Sequence, residues 1–156
     1  MIKLSIPGWK SLEIHHVLSD LNGTLAVDGI LVDGVVDKIK QLEKLITFTI
    51  ITADTFGTAK QLIKEYDLTI HRMKTRNEYV YKATMVHQLG AEQTIFIGNG
   101  ANDIAAFQEA ALSICVIGGE GAYYEAVQQA DLVVTSPLEA LDLLLHPKRI
   151  VAGLRR

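Results

Sequence analysis

Along the chain, short runs of Val, Ile, Leu and Phe alternate with stretches in which apolar residues recur at helical spacing. The short runs fall at residues 17–18, 48–51, 68–70, 94–97, 112–117 and 132–134. Helical periodicity covers residues 35–45, 58–66, 79–89, 102–110, 122–129 and 138–145. Continuously apolar strands separated by helices of about ten residues predict parallel pairing, with helices covering both faces of the sheet. The predicted fold is therefore α/β: a three-layer α/β/α sandwich around a mainly parallel, Rossmann-like sheet.

Turn residues refine this layout. Gly23, Gly57, Gly98, Gly100 and the run Gly118-Gly119-Glu120-Gly121 stand where strands should pass into helices, and ligands of such sheets gather outside the carboxyl ends of the strands. Ser136-Pro137 combines an N-cap with a first-turn proline, and Gly90 stops a helix. With no repeat or linker, residues 1–156 are expected to form one domain with an N-terminal arm over 1–14. Trp9 in that arm is expected to cover a sheet edge or meet another subunit. Asp28-Gly29 and Asp33-Gly34 around Ile30-Leu31-Val32 predict a short hairpin flap over about 25–34. Neither there nor between Thr52 and Lys82 is there room for a cap domain, so the active face should be open to solvent or to a neighbouring subunit.

Composition removes several classes of function. A net charge of -3 supplies no basic field for nucleic acid. The longest apolar run, residues 45–53, is interrupted by threonines and falls short of the roughly 20 residues a membrane helix needs. The N-terminal residues lack a secretory signal pattern, which makes a cytoplasmic location the expectation. Cys115 is the sole cysteine and lies in an apolar run, so it reads as a core thiol. His15, His16, His71, His87 and His146 lack metal-ligand spacing.

The chemistry is concentrated at strand ends. Asp20, in Asp20-Leu21-Asn22-Gly23-Thr24-Leu25, closes an apolar run and is placed as a nucleophile would be. Two residues later stands Asn22, whose amide neither gives nor takes a proton near neutral pH. Three further segments follow: Thr52-Ala53-Asp54, Lys82, and Gly98-Asn99-Gly100-Ala101-Asn102-Asp103. Together, and in this order, the four resemble the haloacid dehalogenase-like superfamily over nearly the whole chain. DLNGTL, TAD and GNGAND are most similar to the DKTGT, TGD and GDGxND patterns of P-type ATPases. The chain thus resembles the small soluble P-type ATPase-like proteins and, in lacking a cap, the deoxyoctulosonate-phosphate phosphatases.

The resemblance implies a magnesium-dependent phosphohydrolase or phosphotransferase acting through an aspartyl-phosphate on Asp20. A phosphate dianion repels an attacking carboxylate, so a cation must bridge them while donors neutralise the other phosphoryl oxygens. On this reading Thr52 bonds a phosphoryl oxygen and Lys82 supplies fixed positive charge, while Gly23, Thr24, Ala53 and Asp54 contact substrate. Lys82 is preferred over Lys74 because it stands directly ahead of residues 83–89 on a helix leading into the strand before Gly98, as the superfamily's third motif does. Lys74, Arg72 and Arg76 then form a solvated basic rim. Mg2+ would be held by Asp20, the Asn22 backbone carbonyl, Asn99 and Asp103.

Two positions depart from the superfamily. Asn22 removes the acid/base group, a contribution worth roughly 100- to 10,000-fold, so turnover should be slow. Asn99 replaces a metal-binding aspartate, which should weaken the ion's affinity. The alternative is a catalytically degenerate phosphate- or nucleotide-binding or regulatory protein. Asp54 could equally cap the following helix, and residues 118–121 read as an ordinary turn. The expected partner is a small phosphorylated metabolite or nucleotide, with no nucleic acid, no membrane insertion, and a homo-oligomer that closes the open site.

Overall fold

The structure of the protein, a computed structural model, describes residues 1–74 and 77–156. Arg76, one member of the expected basic rim, lies outside the described residues. The chain opens with an antiparallel hairpin, β1 (Ile2–Ser5) and β2 (Ser11–Ile14), with Ile2 opposite Ile14. The N-terminal segment expected as an arm is thus a small sheet of its own. Ile2, Leu4 and Ile6 are buried whereas Lys3 and Ser5 are exposed, the period-2 signature of a strand with one covered face. Trp9 stands in the connecting turn, packed on the core of its own chain, with Lys10 Nζ 4.0 Å from its ring centre.

β3 (His16–Asp20) enters the main sheet. It is followed by the hairpin β4 (Ala26–Val27) and β5 (Ile30–Leu31), joined by Asp28-Gly29, both at positive φ as a tight primed turn requires. The chain continues through α1 (Val35–Leu42), β6 (Thr47–Thr52), α2 (Ala59–Tyr66), β7 (Ile70–Arg72) and α3 (Glu78–Leu89). β8 (Thr94–Gly98), α4 (Ile104–Glu109), β9 (Leu112–Val116), α5 (Tyr124–Gln129) and β10 (Leu132–Val134) follow. The last elements are α6 (Pro137–Leu145) and α7 (Lys148–Leu154).

The main sheet has the order β10-β9-β8-β3-β6-β7, and every neighbouring pair is parallel. Alternation along the strands divides the core into two layers. Val17, Ile50, Ile95, Ile97 and Ile114 pack with residues of α1, α6 and α7, including Ile39, Leu141 and Ile150. Leu18, Ile51, Phe96 and Cys115 pack on the other face with Val86, Phe107 and Ala126 from α3, α4 and α5. From the central β3 the chain turns first to β6 and later to β8 on the opposite side. That reversal falls at the carboxyl ends of β3 and β8, the place where ligands of open α/β sheets collect.

Helix α7 has no counterpart in the sequence pattern, because it is only seven residues long and buries only Ile150 fully. Helix α6 begins as its sequence dictates: Ser136 Oγ accepts from the Glu139 N–H at 3.2 Å, and Glu139 Oε2 accepts from the Ser136 N–H at 3.1 Å. Ser136→Ala should therefore lower stability by about 1 kcal/mol in urea denaturation.

Candidate active site

Asp20 ends β3 and shares its sheet face with Leu18, toward α3. The fully buried residues of α3 are Lys82 and Val86, one turn apart, so the helix drives an amine against the sheet. Such a charge requires partners. Lys82 Nζ donates to Asp20 Oδ1 at 3.0 Å and to Asp103 Oδ1 at 2.6 Å. Lys82 and Asp103 are 0% exposed and Asp20 only 8%. The three residues come from β3, α3 and the turn after β8, and meet at the topological reversal.

Asp103 closes a short 3₁₀ turn, Ala101–Asp103. Its Oδ2 accepts from the backbone N–H groups of Asn99 and Gly100, both at 2.9 Å. Gly98 makes this possible, since a Cβ there would fall 2.5 Å from the same carboxylate. Asn99 Oδ1 accepts from the Thr24 hydroxyl at 3.0 Å, and Asn99 Nδ2 donates to the Gly121 carbonyl at 3.2 Å. Gly23, at φ +77, lies so near that a Cβ would stand 2.4 Å from that Nδ2. The Gly23 N–H donates to Ala26 O at 2.8 Å, which folds the turn back toward the hairpin.

The remaining expected residues divide. Thr52 ends β6, buried, and its Oγ1 accepts from the Asp54 N–H at 2.9 Å, leaving the hydroxyl proton to donate. Ala53 follows it, partly buried. Asp54 is occupied within the chain: Oδ1 accepts from the Ala59 N–H at 2.9 Å at the start of α2, and Oδ2 lies 3.0 Å from Arg72 Nε. Its capping role is realised, and Arg72 pairs with it instead of standing alone on the rim. Asn22 bridges to Ala26 through the backbone, while its side-chain Oδ1 is buried with no hydrogen-bond partner.

Sequence reasoning passed over residues 118–121, yet this loop lies on the site. Gly121 takes the Asn99 amide, a Cβ on Gly118 would stand 3.5 Å from the Gly23 carbonyl, and Glu120 accepts from the Asp28 N–H at 3.3 Å. The usable signal was its position after β9, the strand next to β8. Asn102 also gains a partner, donating to Glu78 at the start of α3.

Burial, and then the charge of Asp103, push the Asp20 carboxyl up to about 7 against the pull of Lys82. Burial alone would lower the pKa of Lys82, but the two carboxylates outweigh it and hold the amine above its ordinary value. The amine stays charged, and Asp20 holds its proton to a higher pH than an ordinary carboxyl. Burial drives the Cys115 thiol up to about 11, which leaves it unreactive.

No protein-family model matches the chain. It is 38% identical over 92 residues to an uncharacterized protein of Methanocaldococcus jannaschii, covering 99% of that protein and 56% of this chain, and the two belong to one family. A soluble P-type ATPase-like phosphatase of the same organism is 25% identical over 146 residues, 92% of this chain. The chain spans about half, 52%, of the length of that second relative. In structure the chain is similar to the cobalt-bound deoxy-D-mannose-octulosonate 8-phosphate phosphatase of Haemophilus influenzae, with TM-score 0.72 over 88% of this chain and 90% of that one, at 19% identity. It is also similar to a structure assigned to subfamily III A of the HAD superfamily from Legionella pneumophila, with TM-score 0.70 over 90% and 87% at 18% identity. This chain has the haloacid dehalogenase-like fold. Among its described residues, no helix is long and apolar enough to cross a membrane.

A divalent ion suits the donors gathered here. Asp20 and Asp103 present two carboxylates to one amine, and the unpartnered Asn22 oxygen adds a buried acceptor. Among the described residues, no group of three or more His, Cys, Asp or Glu side chains could hold a metal. Two carboxylates match Mg2+, which takes one or two and completes its octahedron with water and substrate oxygens.

The raised pKa of Asp20 has a stability consequence. A carboxyl whose pKa rises on folding, here from 3.8 to about 7, favours the fold fully below the unfolded value, and that contribution is lost as pH climbs through the folded value. In chelator-treated protein Asp20→Asn should match wild type near pH 4 and exceed it increasingly up to pH 7, with a slope of up to about 1.4 kcal/mol per pH unit. Urea titrations across this range check the sign, and parallel curves would contradict it.

Proposed function

We propose that the protein is a magnesium-dependent phosphohydrolase or phosphotransferase that works through an aspartyl-phosphate on Asp20, with a small phosphorylated metabolite or nucleotide as substrate. The observation that carries this reading is the buried Lys82 amine bonded to both Asp20 and Asp103 at the reversal point of a parallel sheet. A purely structural lysine would need one carboxylate; two leave surplus negative charge that a divalent cation can neutralise. The phosphatase among the relatives and the cobalt-bound phosphatase among the structural neighbours support the same reading.

Asp20, Asp103, the Asn22 backbone carbonyl and the remaining lone pair of the Asn99 amide oxygen would hold Mg2+. The ion, when bound, offsets the repulsion between the carboxylate nucleophile and the phosphate dianion. An Asp20 carboxylate oxygen attacks phosphorus, forming the acyl-phosphate bond as the ester oxygen leaves with its electron pair. Lys82 keeps Asp20 oriented and supplies positive charge beside the transferring group, and Thr52 donates its hydroxyl proton to a phosphoryl oxygen. The leaving oxygen takes its proton from solvent, because Asn22 has none to give. Water then cleaves the acyl phosphate without a general base, or an acceptor hydroxyl takes the phosphoryl group.

With an aryl phosphate and Mg2+, Asp20→Asn should reduce phosphate release to the uncatalysed background; equal rates in variant and wild type would overturn the proposal. Asn22→Asp should restore the missing proton transfer and accelerate release by roughly 100-fold. Calorimetric binding of Mg2+ with beryllofluoride, but no release by either wild type or the Asn22→Asp protein, would assign the catalytically degenerate phosphate-binding role instead.

A further inference from the structure

Asn99 occupies a position where the sequence suggests a weakened metal ligand, and its contacts describe a second task. Its Oδ1 accepts from Thr24, two residues beyond Asn22 and in the turn that carries Asp20. Its Nδ2 donates to the carbonyl of Gly121. Since that carbonyl can only accept, the orientation of the amide is fixed by its partners. The backbone takes part as well: Asn99 O accepts from the Tyr123 N–H at 2.8 Å, and its N–H donates to Asp103. One residue therefore touches the nucleophile turn, the Lys82-bound carboxylate and the loop of residues 118–121.

That loop in turn holds the flap. A Cβ on Gly119 would fall 2.9 Å from Val27 Cγ2, so the loop backbone lies directly against β4, and Glu120 bonds the Asp28 N–H in the hairpin turn. The contact chain runs from Asn99 to Gly121, through the loop to Val27 and Asp28, and returns by the hairpin to Thr24. An aspartate at 99 could keep the acceptor half of this arrangement but would set a carboxylate oxygen against the Gly121 carbonyl. The amide is the side chain of that size that can accept at one end and donate at the other.

We infer that Asn99 is a positioning residue: its amide ties the turn bearing Asp20 to the 118–121 loop, and through that loop fixes the flap bounding the leaving-group side of the site. The tie itself is independent of catalysis. Its consequence for substrate rests on the phosphoryl-transfer reading above. With the tie cut, the loop and flap stop presenting one defined wall to the substrate's organic group, whereas Asp20, Lys82 and Thr52 keep their own anchors.

The test uses Asn99→Asp, Thr24→Val and, as the conservative control, Thr24→Ser. In chelator-treated protein, Asn99→Asp should speed amide exchange in residues 119–123 by about tenfold, the scale of one lost hydrogen bond, and leave Ile95–Ile97 unchanged. At saturating Mg2+ its KM for an aryl phosphate should rise by about tenfold, beyond any change in kcat, in keeping with lost ground-state binding. Thr24→Val should loosen the same segment, which keeps the test available if the Asp variant fails to fold, and Thr24→Ser should behave as wild type. Unchanged exchange in 119–123, or a lower Mg2+ requirement with unchanged exchange, would overturn the tie in favour of a simple ligand role. Faster exchange with unchanged KM would overturn the positioning role. Faster exchange in a protein that releases no phosphate in any form would leave the tie standing and refute the phosphoryl-transfer reading.

Discussion

The structure depends on a cation enclosed where no water reaches it. Placing the Lys82 amine between β3 and the turn after β8 is costly unless both carboxylates arrive with it. Asp20 comes from the central strand, and Asp103 from a turn whose backbone must bend around its carboxylate. Helix α3, the centre of the sheet and the 3₁₀ turn are thereby locked into one relative position. Removing the amine would leave two like charges facing each other in an enclosed space, so the same contact that assembles the candidate site also holds the second layer of helices on the sheet.

Around this charged centre, amides stand where carboxylates would raise the negative charge further. Lys82 opposes two acids, leaving a surplus of one negative charge; acids at 22 and 99 as well would leave three. Asn22 contributes a buried acceptor without a partner, and Asn99 contributes an acceptor and a donor to two separate loops. The two substitutions thus differ in kind: one leaves a group unsatisfied and the other completes a network.

Much of this was legible from residue order. The apolar runs gave the parallel sheet because strands buried on both faces need no alternation, and Asp20, Lys82 and Asp103 stood at the ends of those runs. Ser136 and Gly90 punctuated helices as their local chemistry requires. The less legible parts lacked a local signature. β1 and β2 are short enough that Pro7-Gly8 obscured the alternation of Ile2, Leu4 and Ile6. Lys82 interrupts the apolar stripe of α3, so the residue that matters most blurs the pattern that would place it. Asp54 offered two readings of equal local merit, and of these the approach of Ala59 and Arg72 realises the cap. The role of residues 118–121 depends on a neighbour in space, β8, that precedes them by a whole helix and strand.

Asn22 and Asn99 are each followed by glycine, the pairing in which a backbone nitrogen most readily attacks the side-chain amide and converts asparagine to aspartate or isoaspartate. In the fold both glycine nitrogens are engaged, Gly23 with the Ala26 carbonyl and Gly100 with the Asp103 carboxylate. Neither is available as the attacking group. Chemical ageing of the two amides is therefore coupled to unfolding, and the lifetime of these uncharged side chains is set by how seldom the turns open.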